Sequence, residues 1–424
     1  MAEKTRANDA AWSDQEDRIS ALPDGVLEHI LGFLPAHQAV QECACPTLAP
    51  PLEVHSLSGR LQRHNISNFV SPLLLLRGHI TLDEVKFDFE PYLHLHHDIA
   101  IWIRHALLCK AQVFIVHFNN VKLGDPPLVS NHLRRIELES VDLEGKFLSF
   151  ASCPSLEVLK MKICEINLGR ISSQSLKHLR IEYCTFRCRE WTHISVPSLI
   201  ILRLNDFMGT TPLLQAMPSL DIASVEPDVD IDDYCYEADF EGCCGLCAKC
   251  CGDDDHKGSC VLLGGLLNAM NLELTACPDM FIFGRDLRWC PVFSNLKTLW
   301  LNEWCVAAGF DPLICLLEHS PVLEKLTLQL SKGQKWTKQT VGSTYKLPTI
   351  SGRLNIVEIK CAKVDSRVYK ILHFLSKIVL QVNIIMDSKS SRLHPLEEFV
   401  GYVNALEIRE RTLYHSGYKS LNST

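Results

Sequence analysis

The sequence lacks several features that would have settled its class at once. Aliphatic runs are short, as at Leu73–Leu76, whereas a membrane helix needs about 20 apolar residues, so no membrane association is expected. Met1 to Asp17 is polar and charged and carries no apolar signal core, and its lack of periodicity reads as a flexible tail. There is no Gly-rich phosphate loop, no dinucleotide fingerprint, no Gly-x-Ser-x-Gly and no His-Glu-x-x-His. Neither a catalytic residue nor a cofactor is therefore expected. Excess positive charge is missing too. With 42 Lys and Arg against 50 Asp and Glu, the net charge of -8 argues against bulk attachment to nucleic acid. Cysteine, in contrast, is plentiful at 19 residues. Without a leader, these are expected to be reduced thiols of a nuclear or cytoplasmic protein.

The strongest positive signal is a repeat. Leu-x-x-Leu-x-Leu fits Leu133/Ile136/Leu138, Leu156/Leu159/Met161, Leu176/Leu179/Ile181, Leu199/Leu202/Leu204, Leu296/Leu299/Leu301, Leu323/Leu326/Leu328 and Leu354/Val357/Ile359. Leu82/Val85/Phe87 and Val113/Val116/Phe118 are looser copies, and Leu220/Ala223/Val225 is a degraded one. Several copies share a lead-in, as in Pro154-Ser155-Leu156, Pro197-Ser198-Leu199 and Pro218-Ser219-Leu220. The period falls in or near the range of about 20–29 residues of leucine-rich repeats. The expected fold is thus α/β: a curved sheet of short strands with helical or irregular returns, stacked as a solenoid over residues 69–330.

Strand side chains alternate, so the inward leucines leave the intervening residues on the concave sheet face. Arg135, Lys160, Lys162, His178, Arg180, Arg203, Trp300, Asn302 and Lys325 are the candidate target contacts there. Mixed charge with an exposed tryptophan points to protein binding rather than to a catalytic pocket. An ordinary solvated sheet face is the plainer alternative.

Residues 226–261 interrupt the repeat with an acidic, cysteine-rich insert that reads as a mobile loop. Cys244, Cys247 and Cys250 have ligand-like spacing, and Cys260 could join them around zinc. However, paired knuckles are missing and the surrounding acids raise thiol pKa values, so no metal is expected. His94-x-His96-His97 has no third ligand in view and reads as a loop or a helix start. Repeat-like sequence resumes near Leu267/Met270/Leu272 and Phe281-Ile282-Phe283. A polar connector then leads to a terminal module over 345–424, with strands at Ile356–Ile359 and Val379–Ile385. Helical faces there are expected at Val368/Ile371/Leu372/Leu375 and Leu396/Phe399/Val400/Val403.

Leu22, Leu27, Ile30, Leu31 and Leu34 form one stripe of a short amphipathic helix bracketed by Pro23 and Pro35. This run, continued by Ala39-Val40-Gln41, resembles the front half of an F-box over 18–41. With the repeats and the strand-helix-strand ending, the chain resembles plant F-box/LRR proteins with an FBD-type tail. The irregular linker 42–68 departs from that pattern, since the family's arginine pair and Trp-centred stretch are absent there. The resemblance implies a substrate receptor of a ubiquitin ligase, docked on a Skp-type linker and through it on a cullin. Leu22, Pro23, Leu27, Ile30, Leu31, Leu34 and Pro35 would make that contact, and the concave face would hold an unknown protein target. Two other classes stay open: a non-catalytic scaffold or decoy that has lost Skp docking, and a zinc-dependent nucleic-acid binder.

Overall fold

The computed structural model describes residues 52–55, 82–88, 96–124, 127–188, 191–231, 260–277, 280–307, 310–331, 352–377 and 382–386. The Leu22–Pro35 segment, Cys244, Cys247, Cys250 and the helix expected at Leu396–Val403 lie outside them.

In chain order the strands are β1 (Leu52–His55), β2 (Glu84–Asp88), β3 (Val113–Leu123), β4 (Arg135–Glu144), β5 (Val158–Lys162), β6 (Glu165–Asn167), β7 (Arg170–Ser172), β8 (His178–Glu182) and β9 (Thr185–Phe186). They continue with β10 (His193–Ser195), β11 (Ile201–Gly209), β12 (Leu213–Leu214), β13 (Ile222–Ile231), β14 (Asn271–Leu274), β15 (Thr298–Asn302), β16 (Lys325–Leu330), β17 (Ile356–Cys361) and β18 (Asn383–Met386). Fifteen of them form one sheet. Its main path, β1-β2-β3-β4-β5-β8-β11-β13-β14-β15-β16-β17-β18, follows the chain order with every pair parallel.

Register explains the recurring apolar template. Val85, Phe114, Ile136, Leu159, Leu179, Leu202, Ala223, Leu272, Leu299, Leu326 and Val357 pair in one row across eleven strands. Phe87, Val116, Leu138, Met161, Ile181, Leu204, Val225, Leu274, Leu301, Leu328 and Ile359 form the second row, and no member of either is more than 2% exposed. Each such side chain is worth about 1.5–3 kcal/mol when water is excluded from it. Its neighbours in the stack do the excluding, so a unit depends on the units beside it.

The serine before the leading leucine acquires a role in three units. Ser155 Oγ donates to the Asn131 carbonyl at 2.8 Å, Ser175 Oγ to Leu156 O at 2.8 Å and Ser198 Oγ to Gln174 O at 2.7 Å. Every bond runs back to the preceding unit, tying successive turns together.

At the other end of the strand the backbone turns a corner. Ser140, Ile163, Tyr183 and Asp206 all have φ between 50° and 58°, and each lies two residues beyond a member of the second row. Reversal there sends the next residue, Val141, Cys164, Cys184 or Phe207, into the core, where all four are buried. β6 and β9 follow this corner and pair with each other and with β4 and β11.

The returns are of two kinds. Through the middle of the chain, β7, β10 and β12 make a separate three-stranded parallel sheet. Helices serve elsewhere: His96–Leu108, Phe281–Asp286, Trp304–Ala307, Asp311–Glu318 and Ser366–Leu375. Trp102 of the first is fully buried with its ring 6.0 Å from Phe87, which meets Phe114 edge-on at 6.0 Å. Phe310 and Phe374 stack at 4.3 Å, joining the start of the fourth helix to the last.

Four local readings change. In β3 the rows are filled by Phe114 and Val116, two residues earlier than Val113/Val116/Phe118 implied, and in β14 by Leu272 and Leu274 rather than by Met270 and Leu272. In both units buried alanine, Ala111 or Ala269, holds the leading leucine position. A shift of two residues keeps the same face inward, so periodicity alone does not detect it. Phe281-Ile282-Phe283 opens a helix, and β13 runs on to Ile231, past the expected start of the insert at residue 226. His96 is the first residue of its helix, in keeping with a helix start.

Candidate interaction face

The residues between the two buried rows point to the opposite side of the sheet. Across it they run Lys86, Ile115, Glu137, Lys160, Arg180, Arg203, Ser224, Glu273, Trp300, Thr327 and Glu358. Arg135, His178 and Lys325 stand one pleat earlier, and Lys162 and Asn302 one pleat later. All nine candidate residues therefore share a face, in three parallel rows.

The first half of this face is a mesh of ion pairs. Glu137 takes Lys160 Nζ at 3.0 Å and the guanidinium of Arg135, and Lys162 Nζ lies 2.6 Å from Glu139. Arg180 Nε lies 2.6 Å from Glu182, and His117 stands between Asp88 at 3.9 Å and Glu139 at 3.8 Å. Burial by itself pushes the Glu137 carboxyl upward, but hydrogen bonds from Lys160 and Arg135 outweigh it and hold the group below the ordinary glutamate value. Partly exposed pairs of this kind contribute about 0.2–1 kcal/mol each. That is little enough for a charged partner to exchange with them.

The second half is different. Arg203, Ser224, Glu273 and Thr327 are buried, Arg203 at 8% exposure, so Arg203 does not project as freely as its strand position suggested. Ser224 Oγ donates to Glu273 at 3.3 Å. Asn302 is occupied with the backbone: its Nδ2 donates to the Ala276 carbonyl at 2.8 Å and its Oδ1 accepts from the Ala276 and Trp304 amides at 3.3 Å each. It fastens the end of β14 to the start of a helix. Trp300 carries the Lys360 ammonium 4.2 Å above its ring, a cation–π contact that leaves an aromatic and a positive charge side by side. Lys325 pairs with Glu358 at 2.9 Å.

Sequence reading missed Lys86, His117, Glu273 and Lys360 on this face. The first two follow from strand alternation in the looser copies Leu82/Val85/Phe87 and Val113/Val116/Phe118. Glu273 lies on this face in either register of β14, in a unit whose copy of the template is degenerate, and Lys360 needed the C-terminal module to continue the sheet. Cys260 stands apart from the face: its thiol donates to the carbonyls of Trp289 at 3.1 Å and Asp286 at 3.3 Å, and burial, with Asp286 beside it, pushes it up to about 12.

Fold and face together define a protein of stacked parallel strand units presenting a row-ordered, mixed-charge surface. No family model matches the chain. It is 26% identical over 406 residues to a meiotic F-box protein of Oryza sativa subsp. japonica, covering 81% of this chain and 80% of the relative. It is 24% identical over 345 residues to an F-box/FBD/LRR-repeat protein of Arabidopsis thaliana, covering 74% of this chain and 77% of the relative. A second Arabidopsis protein, of the F-box/LRR-repeat kind, is 25% identical over 256 residues, covering 50% of this chain and 82% of the relative. The resemblance to plant F-box/LRR proteins read from the sequence is thus borne out.

Proposed function

We propose that the chain is the substrate-recognition subunit of an SCF-type E3 ubiquitin ligase, in which a leucine-rich-repeat solenoid holds the target and an F-box docks a Skp-type linker and through it a cullin. In this reading residues 1–17 are a tail, 18–41 the F-box helix, 42–68 a linker that contributes β1 to the sheet, 69–330 the repeats with an insert that starts after Ile231 rather than at 226 and ends near 261, and 345–424 an FBD-like module. The chain catalyses nothing. It raises the effective concentration of a target lysine near the charged conjugating enzyme, in the nucleus or the cytoplasm. The supporting observation is the continuous polar face of the parallel strand stack, in a chain whose relatives bear F-box names.

Pull-down on a plant Skp-type linker tests the docking half. The wild-type chain is expected to be retained and Leu27→Asp/Ile30→Asp to be lost. A second reading, a scaffold or decoy that binds the target without recruiting the ligase, draws on the missing tryptophan and arginine pair after Gln41. Failure of the wild-type chain to bind where an intact F-box binds would overturn the receptor reading and favour this one.

A further inference from the structure

Away from the strand face, two segments about one repeat apart bring together side chains that the adaptor reading leaves unused. The 3-10 turn Leu287–Trp289 ends at Cys290, the helix Asp311–Glu318 carries Cys315, and His319 caps that helix. The ligand atoms of Cys290, Cys315 and His319 all lie within 4.8 Å of one another, and all three residues are half-buried. Cys315 Sγ is 3.9 Å from His319 Nδ1. Ligand atoms on a tetrahedral zinc are about 3.3–3.8 Å apart, given bond lengths of about 2.0–2.3 Å. The cluster is therefore within a small contraction of that geometry.

We propose that Cys290, Cys315 and His319 bind one zinc ion, with Cys260 as the fourth ligand. Cys260 Sγ rests on the carbonyls of Trp289 at 3.1 Å, the residue before Cys290, and Asp286 at 3.3 Å; it stands outside the three-residue cluster and reaches the ion by swinging away from those carbonyls. Two sulfurs or more with one imidazole is a donor set that suits zinc. Binding displaces the thiol protons of the ligating cysteines to solvent, leaving thiolates and a neutral imidazole on the metal.

The surroundings are arranged as a second shell would be. His319 Nδ1, 3.9 Å from Cys315 Sγ, also lies 2.8 Å from the Cys315 carbonyl, so taking the metal on Nδ1 exchanges that contact for the ion. The Phe293 amide donates to the His319 carbonyl at 2.8 Å, fixing the loop after Cys290 to the helix end. The plainer account is two thiols and a histidine packed together, each bonded to nearby carbonyls. It predicts no metal.

The full chain, purified from zinc-supplemented expression without chelator, is assayed for bound metal by elemental mass spectrometry. The wild type is expected to hold about one zinc more than Cys290→Ser/Cys315→Ser, while Cys244→Ser/Cys247→Ser/Cys250→Ser keeps that zinc. Equal zinc in the wild type and in Cys290→Ser/Cys315→Ser overturns the proposal. Should that double variant fail to fold by circular dichroism, cobalt loading of the insert triple variant decides. Thiolate-to-cobalt charge-transfer bands with tetrahedral d–d absorption support the site, and their absence overturns it.

Discussion

Ile163 is a β-branched residue at φ 54°, in the left-handed region, with its side chain 52% exposed. An L-residue there carries about 1–2 kcal/mol of strain, more than the entropy of about 0.5–1 kcal/mol that glycine loses on folding. Ile163→Gly is therefore expected to raise stability by up to about 1 kcal/mol in urea denaturation, because the side chain removed is only half-buried. Gly209 makes the opposite case. Its φ is 78°, and a Cβ would stand 2.2 Å from the Phe186 carbonyl oxygen. Gly209→Ala is expected to cost about 2 kcal/mol or more. If the two substitutions shift stability in the same direction, strain is not what distinguishes these positions.

The helix Ser366–Leu375 is an element whose limits and docking both come from a few side chains. Asp365 caps it, accepting from the Arg367 amide at 2.9 Å and the Val368 amide at 3.3 Å. Arg367 reaches Glu303 at 3.4 Å and the Ser331 carbonyl at 3.0 Å, binding the helix to the ends of β15 and β16. Partial burial pushes the Asp365 carboxyl up, but the Arg367 side chain and the two amides prevail and hold it below the ordinary aspartate value. A carboxyl lowered on folding stabilises fully above its unfolded pKa and loses that contribution as pH falls through the folded value. Asp365→Ala is expected to cost about 0.5–2 kcal/mol at pH 7. The gap from wild type should close as pH drops below about 3.9, followed by chemical denaturation across pH. A gap unchanged in acid would show that the carboxylate charge is not the cause. This helix was legible in the sequence, since Val368, Ile371 and Leu375 are buried at helical spacing. So were most strands, because their leucines repeat at the spacing that the two buried rows require. The returns were not: β7, β10 and β12 are two or three residues long, too short to show a period. Of the Cys290, Cys315 and His319 cluster, only the one-turn spacing of Cys315 and His319 is local; Cys290 joins them only in space.

Across the whole molecule, sheet neighbours are also sequence neighbours along the main path, apart from the short strands β6, β7, β9, β10 and β12. Stability in such a stack is mainly the sum of unit terms and contacts between adjacent units, with Arg367–Glu303 and Phe310–Phe374 as contacts that skip one unit. This is why the face can carry an ion-pair mesh from β2 to β8 and buried polar residues from β11 to β16 without one constraining the other. It also sets what a core lesion should do. Leu179 lies in the first buried row at 1% exposure, paired with Leu159 and Leu202. Leu179→Ala removes packing worth about 2–5 kcal/mol. In hydrogen exchange read by mass spectrometry, amides of β5, β8 and β11 are expected to lose protection while those of β15 and β16 keep it. An equal loss in all five strands would mean that the stack unfolds as one cooperative unit, and neighbour-limited coupling would then be the wrong description of this chain.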